Sequence, residues 1–289
     1  MPRRFDDSLY AGSAKHYLAG RMPYPQRLAT AITDRVRHGR LLDLGCGPGS
    51  LTVLLAPAFR EVVAVDTDAD MVRVASAEAE RRGLRNITWR VSSAEDLDDV
   101  GDLDVVTLAQ SFHWMDRPVV AAKMRAWLVP GGWCVHVGAR THVGESSATG
   151  LPHPAPPHDE IAALVRRYLG PHRRAGQQTV VTDEPPGGEA AALHDAGFIG
   201  PDTVSVPGGD LFVRTEDEIV STVLSLSSSA PHLFGDRSPE FVADLRALLR
   251  DTSPDRVFSE QLQDMSLYFW RNPGRTRRRA SKPTGSSSL

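Results

Sequence analysis

Cysteine is nearly missing from this chain: of 289 residues only Cys46 and Cys134 are thiols, far apart in sequence. Two thiols build no disulfide framework and cannot by themselves complete a four-ligand zinc site, so no metal dependence is expected. Long apolar runs are missing too. No stretch approaches the roughly 18 residues that span a bilayer, and the opening MPRRFDDSLY carries acids where a signal peptide needs an apolar core. The expected location is the cytoplasm, with no membrane partner. Positive charge is outnumbered outside one place. The net charge of −3 includes six Lys/Arg and no acid in RNPGRTRRRASKPTGSSSL. Without them, 27 basic residues face 36 acidic ones, about −9 for the body, which repels phosphate backbones and argues against a nucleic-acid partner. The prolines, glycine and serines of that stretch read as a solvated, disordered basic tail over 272–289, although the run could touch RNA or anionic lipid.

What is present is an ordinary globular composition, 41% hydrophobic and 24% charged, in a length suited to one elaborated α/β unit. Short apolar runs alternate with helical patterns. Strands are expected at Leu41 to Leu44, Glu61 to Val65, Ile87 to Val91, Leu103 to Leu108 and Trp133 to Val137. A first helix carries Leu28, Ile32 and Val36 on one face and runs up to LLDLG; another spans about Pro118 to Leu128. Alternation of this kind implies parallel strands with helices on both faces. After Gly138 the pattern changes to a proline-rich loop up to His158, followed by a helix bearing Ile161, Leu164 and Val165. Thr215 to Glu218 has capping-box spacing, and Ser238 with Pro239 opens a helix carrying Phe241, Leu245 and Leu249. EAAALHDAGF reads as a short helix, and Thr203 to Val206 and Leu267 to Trp270 as the last two strands. The expected organisation is a lid and helix over 1–39, a cofactor-binding core over 40–140, cap helices with the last core strands over 141–271, and the tail.

Chemistry is concentrated in LLDLGCGPGSLT, Leu41 to Thr52. An apolar strand runs into Gly45, Gly47 and Gly49 and then a helical pattern, so the backbone can turn sharply and let a ligand approach. A dinucleotide enzyme prefers G-x-G-x-x-G, its helix N-terminus facing a pyrophosphate. Here Asp43 precedes the glycines, a poor neighbour for pyrophosphate and a reasonable one for a cationic ligand. Farther on, LAQSFHWMD follows a strand beside the glycine turn. Open α/β sheets bind ligands at the carboxyl ends of their strands, which brings Gln110, His113 and Trp114 to the same region.

Over about residues 10 to 140 the sequence resembles class I S-adenosylmethionine-dependent methyltransferases, within them the type 11 group that includes ubiquinone-pathway-like and trans-aconitate-methyltransferase-like enzymes. The resemblance implies a Rossmann-like doubly wound sheet, mostly parallel with an antiparallel last strand, plus helical cap insertions. It implies S-adenosyl-L-methionine as cofactor and makes Gly45, Cys46 and Gly47 the loop around its methionine half. Asp66, closing the strand of VVAVDTDADMV, becomes the acceptor for both ribose hydroxyls, flanked by Thr67 and Met71. VSSAEDL, Val91 to Leu97, resembles the family's G-D-A-E-D-L, with Ser93 where an Asp is usual. Ser93 or Glu95 is then the partner of the adenine amine, with Ala94 between them. YAGSAKHYLAGRMPYP resembles the family's lid, so Tyr10, Tyr17, Arg21 and Tyr24 are site candidates or core.

The expected function is methyl transfer to an O, N or C atom of a small molecule, with Tyr17, Tyr24, His113 and Trp114 toward the acceptor and His113 as general base or pocket wall. Asp66 has an alternative as a helix cap, and Cys46 no partner base. A cyclase or decarboxylase on the same scaffold, or a macromolecule methyltransferase, are the rival classes. A monomer or homodimer is expected. His16, His153, His158 and His232 read as loop or surface residues.

Overall fold

The structure, a computed structural model, describes residues 10–145, 150–171 and 187–274. The apolar runs settle into five parallel strands: β1 (Arg40–Leu44), β2 (Glu61–Asp66), β3 (Ile87–Val91), β4 (Leu103–Ala109) and β5 (Leu128–Gly138). β9 (Met265–Arg271) pairs antiparallel with β5, and β6 (Ile199–Val206) antiparallel with β9. The sheet order is β3-β2-β1-β4-β5-β9-β6. Chain order reverses between β1 and β4, so the carboxyl ends of these two strands open a crevice. This is the Rossmann-like sheet, with its antiparallel last strand, that the sequence leads one to expect. β5 and β6 each begin four to five residues earlier than the apolar pattern suggests.

Helices α1 (Ala14–Gly20) and α2 (Gln26–Thr33) precede the sheet, and α3 (Ser50–Leu55), α4 (Ala69–Arg81) and α5 (Arg117–Trp127) connect its strands. Leu28 and Ile32 are fully buried. α2 ends earlier than its periodicity implies because Arg35 and Val36 donate to carbonyls three residues back, tightening the chain out of the α-helix. The core strands bury Leu41, Leu42, Val62, Val105 and Val106 almost completely. Burial at about 25 cal/mol per Å² of apolar surface makes this double-faced packing the main stabilising term.

The cap consists of α6 (His158–Leu169), α8 (Glu216–Leu224), α9 (Pro231–Phe234) and α10 (Ser238–Thr252), whereas α7 (Gly187–Asp195) packs on α5 and the sheet, its Ala192 and Leu193 joining the core. Ile161, Leu164, Val165, Ile219, Val223, Phe241, Leu245 and Leu249 form the cap's own apolar cluster, with Phe234 stacked on Phe241 at 4.0 Å. The capping box at Thr215 and Glu218 is formed. A small antiparallel sheet, β7 (Leu211–Thr215) with β8 (Val257–Gln261), is an addition to the sequence-based expectation. So is the seam between lid and cap. A Cβ on Gly20 would lie 2.4 Å from the backbone of Ser221, so only glycine lets α1 approach α8 this closely. Ser13 donates to the Leu224 carbonyl at 2.9 Å across the same contact.

The expected tail boundary at 272 moves outward. The Asn272 side chain is buried and donates to the carbonyls of Leu128 at 2.6 Å and Arg125 at 3.2 Å, and Arg125 reaches the Gly274 carbonyl. The rest of the basic stretch, from 275, lies outside the described residues. Among the described residues no helix is long and apolar enough to cross a membrane.

Candidate active site

The turn after β1 begins with the amides of Gly45 and Cys46 donating to the Val65 carbonyl on β2. Gly47 has φ +53° and open space where a Cβ would stand, which leaves its backbone free for a ligand. Gly49 also has positive φ, and a Cβ there would meet that of Ala75 at 2.9 Å; it performs the close helix packing that the third glycine supplies in a dinucleotide turn. Asp43 does not offer a free carboxylate. Fully buried, it accepts from Thr52 at 2.6 Å and Thr107 at 2.8 Å, and burial raises its carboxyl to about 6. It braces the turn from below.

Asp66 closes the same turn from β2. Its Oδ2 accepts from the Gly47 amide at 2.7 Å and its Oδ1 from the Asp68 amide at 3.0 Å. Burial raises its carboxyl, and those amide bonds work against the rise. A carboxylate has about four lone-pair sites, so about two remain for hydroxyl donors. The helix cap is Asp68 instead, which accepts from the amides of Asp70 and Met71.

These groups border a core cavity of about 420 Å³, a volume suited to a nucleoside-sized ligand. Asp43, Gly45, Cys46, Gly47, Asp66, Thr67, Met71, Ala94, Glu95 and Gln110 all line it. Ser93 does not. Its hydroxyl donates to Asp96 and accepts the Asp96 amide, both at 3.0 Å, which makes it a turn brace, and Ser92 takes the place on the wall. Glu95 faces the cavity while accepting the Asp116 amide at 2.6 Å. Burial, with the charges of Asp66 and Asp43, raises the Cys46 thiol well above its ordinary value, which makes it inert as a nucleophile. The residues present fit an adenosyl sulfonium: an open glycine backbone, carboxylates for hydroxyls and positive charge, and apolar Met71 and Ala94 for a flat ring.

A second, cap cavity of about 410 Å³ adjoins the first between the carboxyl ends of β4 and β5 and helices α6 and α8. Tyr10, Tyr17, Arg21, Gln110, Trp114 and Thr141 border both. Gln110 stands at this shared wall with φ +57°, rare for a residue with a Cβ, and its side-chain amide is tied to the Val137 carbonyl at 3.1 Å. Tyr10 and Trp114 meet edge to face at 5.9 Å, and the Arg21 guanidinium lies 4.6 Å over the Tyr17 ring. His113 lines only the cap cavity, whereas Tyr24, expected near an acceptor, lines only the core cavity. His158, expected at the surface, lines the cap cavity together with His142.

Sequence reasoning missed the polar seam behind that cavity. Glu260 on β8 is fully buried and accepts from Arg214 at 2.5 Å, the Gly144 amide at 2.6 Å and His158 at 3.3 Å. Arg214 also bonds the Gly20 carbonyl and Thr222, joining lid, cap and small sheet. The only signal was indirect: Arg214 and Glu260 sit in strand-like stretches where an isolated charge is usually solvated.

With this geometry in view, residues 41–132 match the family model of a methyltransferase domain. They form a class I, S-adenosylmethionine-dependent methyltransferase domain, a domain of an enzyme family. A Dictyostelium discoideum protein named as a methyltransferase is 30% identical over 134 residues, covering 45% of this chain and 48% of the relative. Nocamycin O-methyltransferase of Saccharothrix syringae is 33% identical over 202 residues, covering 61% of this chain and 65% of that protein. The chain spans about half the length of several curated relatives it matches. A solved structure from Anaeromyxobacter dehalogenans, described as a type II methyltransferase, has the same fold, with a TM-score of 0.50 at 22% identity over 87% of this chain and 96% of that one.

Proposed function

We propose that this chain transfers a methyl group from S-adenosylmethionine, held in the core cavity, to a small molecule held in the cap cavity. The observation that carries this reading is the pair of adjoining cavities sharing Tyr17, Gln110 and Trp114 as one wall. When bound, the cofactor supplies an electrophilic methyl on a sulfonium, which needs little chemical activation. The protein's share is placement. The Gly47 backbone and the spare lone pairs of Asp66 orient the donor, Tyr10 and Trp114 exclude water at the junction, and the cap holds the acceptor in line. Methyl transfer by the O-methyltransferase relative supports an oxygen acceptor. His113 is the candidate base, lining the acceptor side with 39% of its side chain exposed.

Calorimetry with S-adenosylmethionine and S-adenosylhomocysteine is expected to give binding, and nicotinamide dinucleotides none. A panel of hydroxylated, carboxylated and amino metabolites is expected to yield S-adenosylhomocysteine with some members. Binding of dinucleotides in place of the adenosyl ligands, or cofactor binding with no product from any acceptor, would overturn the reading.

A further inference from the structure

Glu189 and Glu260 are both buried, and they are provided for very differently. Glu260 has a guanidinium, a backbone amide and an imidazole as donors. Glu189, on the first turn of α7 with only 4% of its side chain exposed, has imidazoles alone. His136 Nε2 on β5 lies 3.2 Å from one of its oxygens and His113 Nδ1 lies 3.8 Å from the other. Among the described residues no Lys or Arg nitrogen stands within 4.0 Å of it. A sealed carboxylate is costly unless paired with a positive charge, so this one is best satisfied when an adjacent imidazole takes up a proton.

We propose that Glu189 is a positioning residue for His113, holding its Nδ1 side so that Nε2 serves the cap cavity as general base, and that the acceptor nucleophile is accordingly a hydroxyl. This rests on the methyl-transfer reading above. The exposures fit the division of labour: His113 is open to the cavity while Glu189 is sealed behind it. In the reaction the hydroxyl proton passes to Nε2 as an oxygen electron pair bonds the methyl carbon. The carbon–sulfur bond breaks with its electrons staying on sulfur, giving a methyl ether and a neutral thioether. The imidazolium that forms faces the Glu189 carboxylate and then releases its proton to water. A carboxylate acceptor, already ionised, has no use for such a pair.

The groups around Glu189 are His113, His136 and Arg117 of α5, with Tyr268 of β9 beside the His136 ring at 5.8 Å. Burial raises the Glu189 carboxyl to about 7 against the pull of Arg117, and burial followed by Arg117 lowers the His113 imidazole. His113, at about 4, is therefore neutral near pH 7, so any basicity it shows in the reaction must come from the ionised Glu189 behind it. The ionised form of Glu189 grows in as pH rises through neutrality.

Two measurements on the full chain test this. Isotope-labelled histidine spectra, followed across neutral pH, are expected to show the His113 ring-nitrogen signals moving as Glu189 ionises, and that movement is expected to vanish in Glu189→Gln. No movement of His113 would overturn the pairing. With an acceptor from the panel, Glu189→Gln is expected to lower kcat by about tenfold or more, leave cofactor affinity intact and remove the rise in rate through neutral pH. Because the folded pKa of Glu189 lies above its unfolded value, its stabilising share is present at low pH and is lost as pH rises through about 7. Glu189→Gln should therefore be at least as stable as the parent at pH 8, whereas a merely structural glutamate would leave the variant less stable. A carboxylate acceptor turned over equally by parent and variant would sink the proposal. If no acceptor yields product, the methyl-transfer reading fails, and the histidine titration still decides the pairing.

Discussion

The two cavities share a wall and are built in opposite ways. The core cavity is lined by acids, including Asp43, Asp66, Asp68 and Glu95, and shaped by backbone turns at strand ends. The cap cavity has no acid among its described lining residues; it presents imidazoles and Arg214 against an apolar wall, with Glu189 and Glu260 set behind. Local sequence makes the first and long-range contact makes the second. A shared cofactor thus meets a short, strand-bound motif, while acceptor choice is carried by segments whose partners lie up to about two hundred residues away.

The sharpest way to break the comparison is to remove the ion pair behind the cap. Glu260→Ala leaves Arg214 buried without its carboxylate, a change that typically costs about 3–5 kcal/mol, and thermal denaturation should show it as a large fall in Tm. Burial raises the Glu260 carboxyl, but the His158 hydrogen bond, the charge of Arg214 and the Gly144 amide together hold it below its ordinary value. Its stabilising share is therefore full above the unfolded value of about 4.3 and is lost as pH falls through the lower folded value. Below that window parent and variant should converge. A variant as stable as the parent at pH 7 would show that the seam contributes nothing.

The matching cut on the other side is Asp66→Ala. It deletes a charged acceptor whose hydrogen bonds are worth about 1.5–3 kcal/mol each, so cofactor affinity should fall at least about tenfold by calorimetry. The His113 imidazole should titrate as before. Unchanged affinity would take Asp66 out of the site.

These two variants also mark how far the sequence could be read. LLDLGCGPGSLT and the strand ending in Asp66 are contiguous, and hydrophobic alternation exposes the sheet that carries them. The capping box of α8 is legible for the same reason: Thr215 and Glu218 are three residues apart and satisfy each other. Arg214 and Glu260 meet only because β7 pairs with β8, and both strands mix polar and apolar residues in the manner of a surface segment. His113 was legible as a strand-end residue; Glu189, in a run of alanines on α7, was not. Tyr17 and Tyr24 both line the core cavity, yet only Tyr17 also reaches the cap cavity, which spacing alone does not resolve.

A smaller effect tests where the folded body ends. Asn272→Ala removes two donors to buried carbonyls at a cost of about 1–2 kcal/mol, a drop of a few degrees in Tm. Truncation after Gly274 should leave Tm and cofactor affinity unchanged, and truncation after Arg271 should reproduce the loss. Equal stability of both truncations would return the boundary to 272.

The smallest expected effect separates resemblance from geometry within the core cavity. The resemblance of VSSAEDL to the family's G-D-A-E-D-L puts Ser93 where an Asp is usual, which implies that it partners the adenine amine. Its hydroxyl is instead spent on Asp96, donating to the carboxylate and accepting the amide, and it faces away from the cavity that Ser92, Ala94 and Glu95 line. Ser93→Ala should therefore shift cofactor affinity by less than about twofold while costing about 0.5–1.5 kcal/mol in stability through the loosened turn. Glu95→Gln offers the contrast. It keeps the size and one carbonyl acceptor but loses the charge opposite the Asp116 amide, and it should weaken the cofactor more than Ser93→Ala does. The reverse ranking would mean that the turn opens when the cofactor enters, freeing Ser93 for the role the motif assigns to its position.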